Sequence, residues 1–78
     1  MPPRIPADAN LARVLRAIRE EQHRSQEGLA HDAGLTVATL ARIERGQANP
    51  TWTTVLQIAG ALGLSLRELA ERLDDGAR

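Results

Sequence analysis

Cysteine is absent from this 78-residue chain, and so are lysine, phenylalanine and tyrosine. Without cysteine there is no disulfide framework and no thiolate metal site, which suits a reducing interior. No apolar run is long enough to span a bilayer, and the opening Met-Pro-Pro-Arg-Ile-Pro lacks the apolar stretch of a secretory signal. A cytoplasmic protein is the expectation. Net charge is missing too, because ten arginines balance ten acids. A global basic field therefore cannot draw the chain to nucleic acid, and any such binding must come from local placement. The all-arginine basic set, beside abundant alanine, is what a GC-rich coding bias produces, and it carries no functional weight. A single domain of this length buries only about 60% of its unfolded surface, which leaves little room for an enclosed active site.

What is present is helical patterning cut by caps and breakers. Residues 1–9 hold three of the four prolines and little apolar material, and read as an N-terminal arm. Helix 1 is expected over Asn10–Gln22, with Leu11, Leu15 and Ile18 on one stripe and Val14 on its flank. Ser25 caps helix 2, which turns Leu29, Ala30 and Ala33 inward and ends at Gly34. Gly28 stands where a capping box would place Glu, so helix 2 is intrinsically weak. Thr36 caps helix 3, anchored by Leu40 and Ile43 and running to Arg45 before Gly46. Asn49-Pro50-Thr51 breaks the chain and restarts it as helix 4, whose stripe is Val55, Leu56, Ile58, Ala59 and Leu62. Ser65 and Glu68 form a complete capping box for helix 5, with Leu66, Leu69 and Leu73 repeating behind it. The expectation is an all-α, compact five-helix domain over residues 10–74, with 75–78 as a C-terminal tail.

With Leu40 and Ile43 inward, helix 3 leaves Val37, Ala38, Ala41, Arg42 and Arg45 together on its outer side. That face is thin. Small residues let a backbone approach base edges, Val37 and Ala38 can touch a thymine methyl, and Arg42 can reach a guanine with both ends of its fork. Alone, such a face is an ordinary solvated one. Its companion changes the reading: Ala30, Gly34 and Leu40 give the A-x-x-x-G-x-x-x-x-x-L spacing of a helix-turn-helix.

From Leu11 to Leu73 the chain resembles the lambda-repressor-like family, the Cro and C1 type of helix-turn-helix regulators. The resemblance is carried by Ile18-Arg19, Ser25-Gln26-Glu27, Leu29-Ala30, Ala33-Gly34-Leu35, Ile43-Glu44-Arg45-Gly46, Asn49-Pro50-Thr51, and Ile58-Ala59 through Ala61-Leu62-Gly63-Leu64-Ser65. It implies sequence-specific binding of double-stranded DNA by a small transcriptional regulator, normally a two-fold homodimer on a near-palindromic operator. Val37, Ala38 and Arg42 match base-reading positions, with Thr36 and Thr39 near the backbone. Gln26 matches a phosphate-contacting glutamine, Arg45 joins the phosphate set, and the loop from Gln47 to Trp52 matches a segment whose amides meet phosphates. Asn49 either contributes there or fixes the turn before Pro50. Arg19 and Glu44 match a pair that bridges helices 1 and 3, and are assigned to holding the fold. The dimer is expected through the helix 4 and helix 5 end, including exposed parts of Leu66 to Leu73.

Trp52, the sole aromatic, stands where the family usually has an aliphatic residue; core packing is expected of it, with a DNA or partner contact as the alternative. His23 and His31 are read as ordinary exposed histidines, not metal ligands. No cofactor, small-molecule effector or enzymatic step is expected, since no nucleophile, base and orienting acid cluster suggests itself. Arg24 and Val14 depart from the family pattern, and nothing in the sequence explains them. The competing readings are a protein-interaction module of the same fold without DNA binding, and, within the regulator class, an antitoxin or a restriction-modification controller.

Overall fold

The computed structural model describes residues 8–76. Five helices account for most of them: α1 Ala9–Glu21, α2 Gln26–Ala33, α3 Val37–Glu44, α4 Trp52–Ala61 and α5 Leu66–Gly76, with no strand among the described residues. Of the expected arm and tail, residues 1–7 and 77–78 lie outside the described residues. Asp8 and Ala9 instead open α1, and α5 continues past residue 74 to Gly76.

Each helix starts the same way. The side-chain oxygens of Asp8, Ser25, Thr36, Thr51 and Ser65 accept the amide three residues on, at Leu11, Gly28, Thr39, Thr54 and Glu68. A cap of this kind is worth about 1 kcal/mol, enough to matter for helices of two or three turns. At α5 the bond is reciprocal, since the Ser65 amide also donates to Glu68 Oε1 at 3.0 Å. Hydrogen bonds from Ser65 to the carboxyl, the backbone one first and the hydroxyl second, hold Glu68 below its ordinary pKa.

The first four helices also end alike. After each, one residue takes positive φ and the next amide reaches back five residues: Arg24 to Arg19 O, Leu35 to Ala30 O, Gln47 to Arg42 O and Leu64 to Ala59 O. Three of the four left-handed residues are Gly34, Gly46 and Gly63; the fourth is His23, at φ 56°. A side chain there is strained, because its Cβ crowds the following carbonyl.

The five largest fully buried side chains are Leu15, Leu29, Leu40, Ile58 and Leu69, one from each helix. Burying each stabilises the fold by about 1.5–3 kcal/mol, so no helix can leave without uncovering a share of one common core. Around that centre α2 packs on α3 and α4, while α1 packs on α3 and α5. Val14 is explained by α5: a Cβ built on Gly76 would come within 3.2 Å of Val14 Cγ2 and 2.6 Å of Asn10 Oδ1. An apolar residue on that flank of α1 is what the end of α5 rests on. The Asn10 amide and the Arg13 guanidinium then donate to Leu73 O and Gly76 O.

Two expectations on α4 are corrected. Trp52 is 62% exposed and Leu56 44% exposed, so neither belongs to the core. At 100° per residue, Val55, Ile58 and Leu62 define the buried direction of α4, and Leu56 points about 120° away from it, Trp52 about 80°. The stripe is narrower than the run of apolar residues that carries it.

Replacing His23 by Gly is expected to stabilise the domain by about 0.5–1 kcal/mol, net of the glycine's greater unfolded entropy. Thermal unfolding should show a rise in Tm of a few degrees; His23→Ala, which keeps a Cβ, should give none.

Candidate functional site

Gly34, at φ 73°, turns the chain from α2 into α3, and Thr36 opens α3 by accepting the Thr39 amide at 3.1 Å while donating its hydroxyl to Thr39 Oγ1 at 2.8 Å. Leu40 and Ile43 are buried, which rotates Val37, Ala38, Thr39 and Arg42 to the outside. Ala41 is half-buried, at the edge of that face. Arg42 joins no ion pair among the described residues, so its guanidinium fork is uncommitted. Arg45 is exposed and donates through Nε to Gln47 Oε1 at 3.1 Å.

Beneath this face lies the buried ion pair. Arg19 of α1 donates to Glu44 of α3 through Nε at 2.8 Å and through a terminal nitrogen at 2.9 Å, a bidentate fork. The remaining terminal nitrogen donates to the Arg24 carbonyl at 2.8 Å. The Glu44 side chain is 1% exposed and that of Arg19 12%. The hydrogen bond to Glu44 raises the Arg19 pKa against the opposing effect of burial. Gln26, the first residue of α2, adds a third bond to the same carboxylate, with Nε2 donating to Oε1 at 3.1 Å. A carboxylate only accepts, so Glu44 fixes the amide of Gln26 nitrogen-inward.

The pairing of Arg19 with Glu44 was legible through resemblance; the attachment of Gln26 to it was not. Arg24, a departure from the family pattern that the sequence leaves unexplained, finds its role in the structure. Its guanidinium joins Asp32 of α2 to the Ala61 carbonyl at the end of α4. Gln22 donates to the next carbonyl, Leu62 O, at 2.8 Å. Side chains of the α1–α2 turn thus cap the C-terminal end of α4, and no local pattern in either segment signals it. Asn49 is placed in the α3–α4 loop with its Oδ1 accepting the Asp8 amide at 2.7 Å.

The charge distribution resolves the neutral total. Between Asp32 and Glu68 the only acid is Glu44, while Arg42, Arg45 and Arg67 are the basic residues of that stretch. Since Glu44 is buried and neutralised by Arg19, the surface of α3 and of the loop behind it carries positive charge alone. His23 and His31 are both exposed, and no group of three or more His, Cys, Asp or Glu among the described residues could hold a metal ion.

A family model described as helix-turn-helix matches residues 15–74. The chain belongs to the Cro/C1-type helix-turn-helix family. An immunity repressor protein of Bacillus phage phi105 is 42% identical over 52 residues, which are 67% of this chain and 36% of the repressor. The chain therefore spans about a third of that relative's length. The uncharacterized HTH-type transcriptional regulator y4dJ of Sinorhizobium fredii is 36% identical over 67 residues, 86% of this chain and 82% of that protein. Among solved structures, the restriction-modification controller protein C.Esp1396I, crystallised as a tetramer with its natural 35-base-pair operator, superposes with a TM-score of 0.85. It is 28% identical, over 87% of this chain and 90% of the controller chain.

Because the pair is buried, removing one partner leaves the other uncompensated. Glu44→Ala is expected to cost about 3–5 kcal/mol, most of the stability of a domain this small. Denaturant unfolding would read the loss, and a variant as stable as the parent would show that Arg19 finds another acceptor.

Proposed function

We propose that this protein is a small transcriptional regulator that binds double-stranded DNA in a sequence-specific way, with α3 in the major groove. The observation that carries the reading is the sorting of charge on α3: its one acid is turned into the core, and its exposed face offers Arg42 among short side chains, with Arg45 exposed directly after it. In this reading Arg42 is the main hydrogen-bonding reader, Val37 and Ala38 give apolar contact, and Thr36, Thr39, Arg45 and Gln26 meet phosphates. Gln26 suits that role because Glu44 uses only one of the two N–H groups of its amide. Asn49 is retained at the same edge, as the residue that ties the loop to the start of α1.

Two copies would read half-sites about 34 Å apart. Support for a homodimer through the α4–α5 side comes from Leu56 and Leu66, both nearly half exposed. The segment from Gly46 to Leu66 carries no charged residue, which suits a surface that must meet its own copy across a two-fold axis. The family match supports a binding protein, and the reading assigns the chain no catalytic step. No helix among the described residues is long and apolar enough to cross a membrane, in keeping with a cytoplasmic regulator. A restriction-modification controller is the second reading, favoured by the likeness to C.Esp1396I over most of both chains.

Selection of bound sequences from random duplex DNA should return a near-palindromic site. On that site Arg42→Ala is expected to cost about 1–3 kcal/mol and to relax one base position, whereas Gln26→Ala should weaken all sequences alike. Failure to enrich any sequence, with no affinity at low salt, would leave the fold as a protein-interaction module.

A further inference from the structure

Gln47 is tied to both exposed arginines at the end of α3. Its backbone amide donates to the Arg42 carbonyl at 2.9 Å, closing the turn in which Gly46 takes φ 70°. Its side-chain Oε1 accepts from Arg45 Nε at 3.1 Å. The turn has little room to shift: a Cβ built on Gly46 would stand 3.9 Å from Ala12 Cβ of α1, and further along the loop Asn49 Oδ1 holds the Asp8 amide at 2.7 Å. The backbone of Gln47 is therefore fixed, while Gln47 and Arg45 are both exposed. A guanidinium only donates, so the amide of Gln47 must face it oxygen-first. No other side-chain hydrogen bond or ion pair engages the Arg45 guanidinium among the described residues, and both of its terminal nitrogens stay open.

We propose that Gln47 is a positioning residue for Arg45: it holds the guanidinium by Nε and so presents the two terminal nitrogens as a fork to a phosphate of the duplex. The proposal rests on the DNA-binding reading above. A guanidinium can offer an anion either its Nε edge or its terminal edge, and the bond to Gln47 leaves the terminal edge as the bidentate choice. An unheld arginine must also surrender rotamer freedom when it meets phosphate, and Arg45 has surrendered part of it beforehand. Nothing nearby competes with Gln47 for the guanidinium. The chain carries no charged residue from Gly46 to Leu66, and the Glu44 carboxylate beside Arg45 is buried on Arg19. Gln47 is neutral, so it steers the arginine without cancelling its charge.

The test uses the full chain on its selected duplex, with Gln47→Ala, Arg45→Ala and the double variant titrated at several salt concentrations. Gln47→Ala should weaken binding about three- to tenfold and leave the slope of log K against log salt unchanged, because no charge is lost. Arg45→Ala should weaken binding further and make that slope shallower by about 0.9 for each copy bound. Once Arg45 is replaced, Gln47→Ala should cost nothing more. The substitution keeps the backbone amide on the Arg42 carbonyl, so denaturant unfolding of Gln47→Ala should match the parent. Parent affinity in Gln47→Ala, a loss that persists without Arg45, or a loss that follows a fall in stability would overturn the proposal; Arg42→Ala still losing the site would then leave the DNA reading standing. If Arg42→Ala also binds as the parent does, the DNA reading itself fails.

Discussion

The buried pair between Arg19 and Glu44 is the constraint on which most of this molecule depends. Burying two charges is expensive, and the cost is recovered here only because every donor and acceptor has a place: a bidentate fork, a third bond from Arg19 to the Arg24 carbonyl, and the Gln26 amide on the carboxylate. No buried side-chain nitrogen or oxygen among the described residues lacks a partner. A pair satisfied in this way specifies orientation more than it adds stability. It locks α1, the α1–α2 turn, the start of α2 and the end of α3 into one register.

That register has an electrostatic consequence for the outer surface. Glu44 and Arg42 are two residues apart on a helix, and so about 200° apart around its axis. Sending the acid inward is what sends Arg42 outward. The chain can thus be neutral as a whole and still present an uninterrupted positive edge, from Arg42 past Arg45. At the far side of the same network, Arg24 and Gln22 fasten the end of α4. The helix that carries the exposed Leu56 is therefore held by the turn that also receives Arg19. The reading face and the face offered to a second copy are built on one frame.

The helix count, the caps and the inward anchors were legible in the sequence because they are local. A Ser or Thr before an apolar-periodic run acts within three residues, and a glycine in the left-handed region acts within five. Gly34 and Gly46 marked their turns for that reason, while His23 did the same work without the composition that signals it. Trp52 and Leu56 were misplaced because apolar character does not say which sector of a helix its neighbours cover. The start of α1 was set one residue late, since Asp8 stands beside Pro6 and Ala7 in what composition marks as an arm.

By itself, then, the sequence determined that five short capped helices would form, that α2 and α3 would stand as a helix-turn-helix, and which residues of α3 would face out. Those properties follow from periodicity and from hydrogen bonds closed within one turn. Packing across the whole domain was needed to bring Gln26 onto the Glu44 carboxylate beside Arg19, to carry Arg24 across to α4, and to bring Asn49 to Asp8 forty-one residues away in the chain. Each of those contacts joins segments whose spacing in sequence bears no relation to their distance in space. They come into being when the common core of Leu15, Leu29, Leu40, Ile58 and Leu69 closes and fixes where every helix end must lie.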